Sequence, residues 1–273
     1  MTDPTAPVTD PPAADPVLVE RIDHTVVVTL NRPEARNAVD TEVATRVGAA
    51  LAEADADPEV WCLVLTGAGD RSFCAGADLK ALGRGELPLV PEHPEWGFAG
   101  YVSHAVSIPT IAAVNGPALG GGTELALASD LVVAADTAAF GLPEVKRGII
   151  AAAGGVLRLP QQLPTKVAME AILTGDPITA EDAARWGLIN RIVPQAEVLD
   201  RALELAARVC ANAPLAVQAS KRLATGIVDR SVPSESGDWA RNQAEIERVG
   251  ATADAMEGIT AFAQKRAPVW QAR

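Results

Sequence analysis

Apolar positions fall into two regimes along the chain: short β-branched runs ending in glycine-containing loops up to Pro194, and helical spacing beyond it. Val17 to Glu20 and Thr25 to Leu30 read as two strands about a turn, and Asn31-Arg32-Pro33 ends the second. Thr41 to Asp55 carries its apolar residues at helical spacing and stops before Asp57-Pro58. Val60 to Leu65 is a nearly continuous apolar run, the pattern of a strand buried on both faces. It enters the loop TGAGDRSFCAGADLKAL, with glycines at 67, 69 and 76. A Pro- and Gly-rich stretch from Gly83 to Gly97 follows, then a predicted helix leading to Ile108-Pro109 and a strand over Thr110 to Val114. Leu131 to Ala135 predicts another strand, Ala139 to Pro143 a turn, and Lys166 to Leu173 a helix.

Strand, glycine loop and helix therefore recur around Val64, Val114 and Val132, which predicts a coiled repeat of ββα units. From Pro194 onward the spacing predicts helices over Val198 to Ala211, Pro214 to Ala224, Trp239 to Glu247 and Thr252 to Lys265. The expected organisation is a tail at 1–16, a mixed α/β core at 17–196 and a helical C-terminal region at 197–273. The tail, MTDPTAPVTDPPAADP, has neither a basic start nor an apolar run, so disorder is expected there rather than a signal peptide or an anchor.

Composition narrows the partners. Apolar residues make up 48% and aromatics 4%, which suits closely packed sheets and helices rather than an aromatic-lined groove. A formal charge of −12 opposes nonspecific binding to nucleic acid or anionic lipid, because both are polyanions. No uncharged apolar run reaches the length of a membrane helix. Cys62, Cys74 and Cys210 form no CxxC pair and no histidine ladder accompanies them, so free thiols in a reducing cytoplasm are expected and no metal site is.

The candidate chemistry starts at NGPALGGGTELALASD, residues 115–130, where three glycines precede a glutamate and a helix. Such a triplet can cradle a phosphate, allow close packing, or aim amides at a carbonyl oxygen. No Lys follows it and no GxGxxG spacing is present, which weakens the phosphate reading. Helix-start amides have no intrahelical partner and can be satisfied by an oxygen bearing partial negative charge. Two converging amides would form an oxyanion hole, worth roughly 3 to 4 kcal/mol of transition-state stabilisation per donor. Glu124 follows the triplet and Glu144 follows Pro143. Each alone is an ordinary helix-start acid; facing each other across a pocket, one can give a proton while the other takes one.

NRPEARNA, LVLTGAGDRSFCAGADLK, IPTIAAVNGPALGGGTELALASD and FGLPEVKRGI, in this order and at these distances, resemble the crotonase superfamily and, within it, the enoyl-CoA hydratases. The resemblance runs from Val17 to the C-terminus. It implies a crotonase-like spiral of ββα units with a helical C-terminal trimerisation region, assembled as a homotrimer or a dimer of trimers. It also implies an acyl-CoA thioester substrate, with no metal or redox cofactor. The oxyanion donors it implies are the amides of Ala77 and Gly121. Glu124 would deliver water to C3 of a 2-enoyl-CoA and Glu144 would protonate C2, yielding a 3-hydroxyacyl-CoA.

Arg36, Ala77, Asp78, Leu79 and Lys80 match positions lining the CoA in the family, and Phe262 and Lys265 match a C-terminal segment that reaches a CoA site, often a neighbour's. Without the family, Lys80 and Lys265 are ordinary solvated charges. GGVLRLP resembles a branch that includes carnitinyl-CoA dehydratase, and Thr123 stands where many relatives have Cys. Carnitinyl-CoA-type dehydration, isomerisation and non-catalytic acyl-CoA binding remain the alternatives. His93, Trp96, Phe98 and Tyr101 occupy the variable region that shapes the acyl pocket; they either wall the acyl chain or pin a loop to the core. No chemistry is assigned to His93 or His104.

Overall fold

In the computed structural model, residues 15–273 are described. The tail expected at 1–16 lies outside them as far as residue 14. Asp15 and Pro16 are fastened: Asp15 pairs with Arg46 at 2.8 Å, and the Pro16 carbonyl accepts from the Asn31 amide at 2.8 Å.

A hairpin of β1 (Val17–Ile22) and β2 (Thr25–Leu30) opens the fold. The chain then makes successive passes. Helix α1 (Thr41–Ala56) begins at Asp40, whose carboxylate accepts from the Val43 amide at 3.0 Å. It buries Val43, Ala44, Val47, Leu51 and Ala54 on one face. Strand β3 (Cys62–Gly67) is buried along its whole length and leads through the CAGAD loop into α2 (Leu79–Gly83). The next passes are β4 (Thr110–Val114), β5 (Ala118–Leu119) and α3 (Gly121–Ala128), then β6 (Leu131–Ala135), β7 (Ala139–Gly141) and α4 (Gly155–Gln162). α5 (Thr165–Thr174), β8 (Ile178–Thr179), α6 (Ala180–Arg185) and β9 (Arg191–Val193) complete the core.

Two sheets arise from this winding. The larger has the order β1-β2-β3-β4-β6-β9 and is parallel except for the β1–β2 pair. The smaller joins β5, β7 and β8. Parallel bridges Val39–Ala77 and Cys74–Ala118 extend that second layer back to the first passes. Each pass thus gives one strand to the large sheet, a short extended piece to the second layer, and a helix, which is the expected α/β spiral.

The C-terminal region is helical, with α7 (Val198–Cys210), α8 (Pro214–Thr225), α9 (Ser236–Gly250) and α10 (Ala253–Ala263). α7 buries Val198, Ala202 and Ala206 and packs on β3, β4 and β6, so it closes one face of the core. All three cysteines are free, with Cys62 and Cys74 buried. Among the described residues no helix is long and apolar enough to cross a membrane.

Three local expectations need correcting. The stretch before Ile108-Pro109 holds only short 3-10 turns at Pro94–Trp96 and Phe98–Gly100. Ala99 and Gly100 have φ of 59° and 62°, which no helix accepts, and Gly100 presses so closely on α1 that a Cβ there would lie 2.8 Å from Cα of Gly48. Ala139–Gly141 is a strand, with the 3-10 turn Pro143–Arg147 following it. α4 and α6 are helices that sequence spacing did not predict; both are short, and α4 contains Pro160.

Candidate active site

The site lies where three consecutive passes meet in the second layer. Val39 donates to the Gly76 carbonyl at 2.9 Å and accepts from the Asp78 amide at 2.8 Å. In a parallel bridge this consumes the groups on either side of Ala77 and turns the Ala77 N–H to the opposite side. On that side is the glycine triplet: a Cβ on Gly76 would lie 3.1 Å from the Gly121 nitrogen. Gly121 is the first residue of α3, so its amide has no intrahelical acceptor. Among the described residues neither the Ala77 nor the Gly121 amide has a hydrogen-bond acceptor. The two proposed oxyanion donors are therefore neighbours, and both are free.

Each glycine of the triplet is there for space. Gly120, at φ 56°, would set a Cβ 2.6 Å from Oε1 of Glu144. A Cβ on Gly121 would run into the ring of Phe98, and one on Gly122 into the Cys74 carbonyl. Thr123 is buried and holds the layers together: its hydroxyl lies 2.7 Å from the Ala118 carbonyl and accepts from the Gly141 amide at 2.9 Å.

Glu124 is 3% exposed. Its Oε1 accepts from the Gly155 amide, the first of α4, at 2.8 Å. Burial and then the nearby Glu144 push its carboxyl up to about 8, against the pull of the Gly155 and Ala153 amides and of Arg158. Glu144 sits in the turn after β7, and its Oε2 is buried without a hydrogen-bond partner. Burial pushes Glu144 up to about 6, with Arg147 pulling the other way. Burial and the closeness of the two carboxylates raise both, so the pair favours holding one proton between them.

The expected CoA residues divide. Arg36, Leu79 and Lys80 are exposed beside the CAGAD loop, and the Arg36 carbonyl accepts from the Ala75 amide at 3.1 Å. Asp78 turns away from solvent instead. Its carboxylate caps α2 through the Lys80 and Ala81 amides and meets Arg32 at 2.8 Å. Burial raises its pKa, but Arg32 and those amides outweigh that and hold the carboxyl below its usual range. Phe262 lies in the last turn of α10 and Lys265 just beyond it; α10 packs on the Glu144 turn of the same chain, and Arg147 stacks 4.2 Å over the Phe262 ring.

The four acyl-wall candidates also separate. Phe98 covers Gly121. His93, Trp96 and Tyr101 line a different cleft of about 1310 Å³ with Leu127, Arg158 and Trp239, and none of Ala77, Gly121, Glu124 or Glu144 borders it. Leu127 is six residues along α3 from Gly121, about 9 Å at the helical rise. Trp96 is sandwiched between His93 and His104, each at 4.0 Å between centroids, and the Tyr101 hydroxyl bonds Ser129 at 2.9 Å. These contacts fix Trp96 and Tyr101 in place, and His93 is exposed beside Glu95.

The family description "Enoyl-CoA hydratase/isomerase" matches residues 21–273. The chain belongs to this family, among the crotonases. A carnitinyl-CoA dehydratase of Escherichia coli O157:H7 is 45% identical over 249 residues, 90% of this chain and 94% of that protein. Among solved structures, a carnitinyl-CoA hydratase from Mycobacterium avium matches with a TM-score of 0.94 and 59% identity, covering 96% of this chain and 100% of that one. An enoyl-CoA hydratase from Mycobacterium tuberculosis H37Rv matches with a TM-score of 0.74 and 44% identity, over 95% and 100% of the two chains.

Two residues of this crotonase chain that the sequence reading passed over support the site. Asn37, at φ 56° and 1% exposed, donates to the Ala68 and Ser72 carbonyls and accepts from the Arg32 amide, so it ties NRPEARNA to the loop leading to Ala77. An Asn inside a turn motif is the signal that marks it. Arg158 stands one helical turn after Gly155 and carries no local sign of its role.

Proposed function

We propose that this protein interconverts a 2-enoyl-CoA and the corresponding 3-hydroxyacyl-CoA by adding or removing water across C2 and C3. The observation that carries the proposal is the buried Glu124 and the half-buried Glu144, whose Oε2 is buried without a partner, beside two neighbouring amides with no acceptor. The thioester oxygen would take the amides of Ala77 and Gly121, which gain most as the enolate charge develops. In hydration Glu124 takes a proton from water as its oxygen joins C3, and Glu144 gives its proton to C2. In dehydration Glu144 takes the C2 proton, and Glu124 protonates the departing hydroxyl.

With one proton on the pair, hydration starts from the form with Glu124 ionised, and dehydration from the form with the proton on Glu124 and Glu144 ionised. Hydration ends in that state, and the proton returns to Glu144 through water. In this reading Arg36, Leu79 and Lys80 line the nucleotide and pantetheine, and Phe262 and Lys265 reach a CoA site, that of a neighbouring subunit included. No metal or redox group enters this chemistry, and CoA is part of the substrate.

Relatives named for carnitinyl-CoA, at 45% and 59% identity, support an acyl group of that type over a plain fatty chain. The second carboxylate supports water chemistry over double-bond migration. A silent acyl-CoA carrier would bear the desolvation of two acids with no use for them. Exposed Leu215 and Leu223 on α8 support a homotrimer or a dimer of trimers, which sedimentation would reveal.

The test is a panel of 2-enoyl- and 3-hydroxyacyl-CoAs, carnitinyl-CoA included, with products identified by mass. Turnover that disappears in Glu144→Gln supports the proposal. No turnover of any member, or turnover that survives the substitution, overturns it.

A further inference from the structure

Helix α9 reaches the segment that leads into α4 although it belongs to the helical C-terminal region. Three side chains at its start and along one face grip the segment 151–158. Glu235, just before α9, meets Arg158 at 3.2 Å and accepts from the Trp239 indole at 3.0 Å. The Trp239 ring lies 5.5 Å from the Arg158 guanidinium, and it would be 3.1 Å from a Cβ on Gly154, whose φ is 101°. Asn242, 6% exposed, donates to the Ala152 carbonyl at 2.7 Å. Arg158 itself is 14% exposed and also donates to the Val102 carbonyl at 2.6 Å. Its amide closes the first turn of α4 on the Gly154 carbonyl at 2.8 Å.

The gripped segment is what Glu124 leans on. The Gly155 amide donates to Glu124, and Arg158 sits on the next turn of the same helix. We propose that Arg158, clamped by Val102, Glu235 and Trp239, is a positioning residue for Glu124, holding the start of α4 against that carboxylate and setting a cation behind it. This rests on the hydration and dehydration reading above and assigns α9 a part in the chemistry.

The charged groups facing Glu124 are few. Glu144 faces it from the turn after β7 and Arg158 from α4. β4, β5 and β7, which pack on α3, contain no ionisable residue, and Arg147 acts on Glu144. Glu235 acts through Arg158 by neutralising part of its charge. Removing Arg158 therefore raises the proton affinity of Glu124, whereas removing the Glu235 charge lowers it.

The experiment compares Arg158→Gln, Arg158→Lys and Glu235→Gln with the unaltered protein. The first readout is the pH profile of kcat/KM on an accepted acyl-CoA. The second, independent of turnover, is the titration of the Glu124 carboxyl carbon in glutamate-labelled protein, identified by its loss in Glu124→Gln. In Arg158→Gln the alkaline limb and the Glu124 titration should move up by about half a pH unit, with kcat down about tenfold and KM little changed. Arg158→Lys should hold both in place, and Glu235→Gln should move both down. Opposite displacements are not produced by loss of packing alone. Unmoved or same-direction titrations in Arg158→Gln and Glu235→Gln overturn the proposal. If Arg158→Gln does not fold, the downward shift in Glu235→Gln decides it, supporting the proposal when present and overturning it when absent. Absence of turnover in the unaltered protein would overturn the reaction and leave the carboxyl titration to judge Arg158.

Discussion

The Gly155 amide donates a 2.8 Å hydrogen bond to Glu124, joining the first residue of α4 to a carboxylate in the first turn of α3. Two helix starts thus converge on one acid: α3 carries it, and α4 supplies the amide that favours its ionised form. Burial and Glu144 oppose that amide and win, which leaves Glu124 proton-rich near neutrality.

The raised affinity has a consequence for stability. A folded pKa of about 8 lies above the unfolded carboxylate value, so the stabilising contribution is complete below about pH 4.3 and is lost as pH rises through about 8. Glu124→Gln should therefore raise Tm at pH 8.5 and change it little at pH 4. Thermal melts of both proteins across that range check this; a constant difference would contradict it.

Activity should follow a bell between the two values, about 6 and about 8, because the reaction needs one proton on the pair. A profile of kcat/KM measures it. Glu144→Gln and Glu124→Gln should each lower kcat by at least roughly a hundredfold, the usual range for removing a general acid or base.

Gly121→Ala sets a methyl against the Phe98 ring and shifts an oxyanion donor. It should cost roughly a hundred- to a thousandfold in kcat. Adding Phe98→Ala makes room and should recover part of the lost Tm but not the turnover. Calorimetry beside single-substrate kinetics separates the two effects.

Asp78 and Lys80 should fail in different ways. Asp78→Asn weakens the Arg32 pair and the α2 cap, and should destabilise by about 1 to 2 kcal/mol in denaturant melts. Lys80→Ala leaves stability unchanged and should raise KM for acyl-CoA several-fold, since Lys80 is exposed beside the loop. The reverse pattern would remove Lys80 from the substrate site.

Gly258 lets α10 lie on the Glu144 turn, where a Cβ would collide with the Arg147 carbonyl. Gly258→Ala should cost about 1 to 3 kcal/mol and lower kcat, because the displaced turn carries Glu144. Equal kcat in a destabilised variant would uncouple α10 from the turn.

The motifs were readable because their demands are local. GGGTE needs glycines wherever backbone, ring and carboxylate crowd one helix start, and FGLPE needs a proline-led turn to present Glu144. The stretch from Gly97 to Ile108 misled because apolar spacing suggested a helix, while its backbone is set by contact with Gly48 on a distant helix. The resemblance puts Trp96 and Tyr101 in the variable region that shapes the acyl pocket, whereas the structure stacks Trp96 between two histidines and bonds Tyr101 to Ser129, on a cleft that the two glutamates do not border.

By itself the sequence determined the α/β winding and the family and named the candidate residues, since period, turn residues and motif order are properties of neighbouring positions. Only the tertiary structure decided that the Ala77 and Gly121 amides are neighbours, that Asp78 serves Arg32, and that α9 grips Arg158 behind Glu124. Proton affinity belongs to the same category. It depends on which groups displace water around a carboxylate, and those groups come from passes of the chain that no local pattern connects.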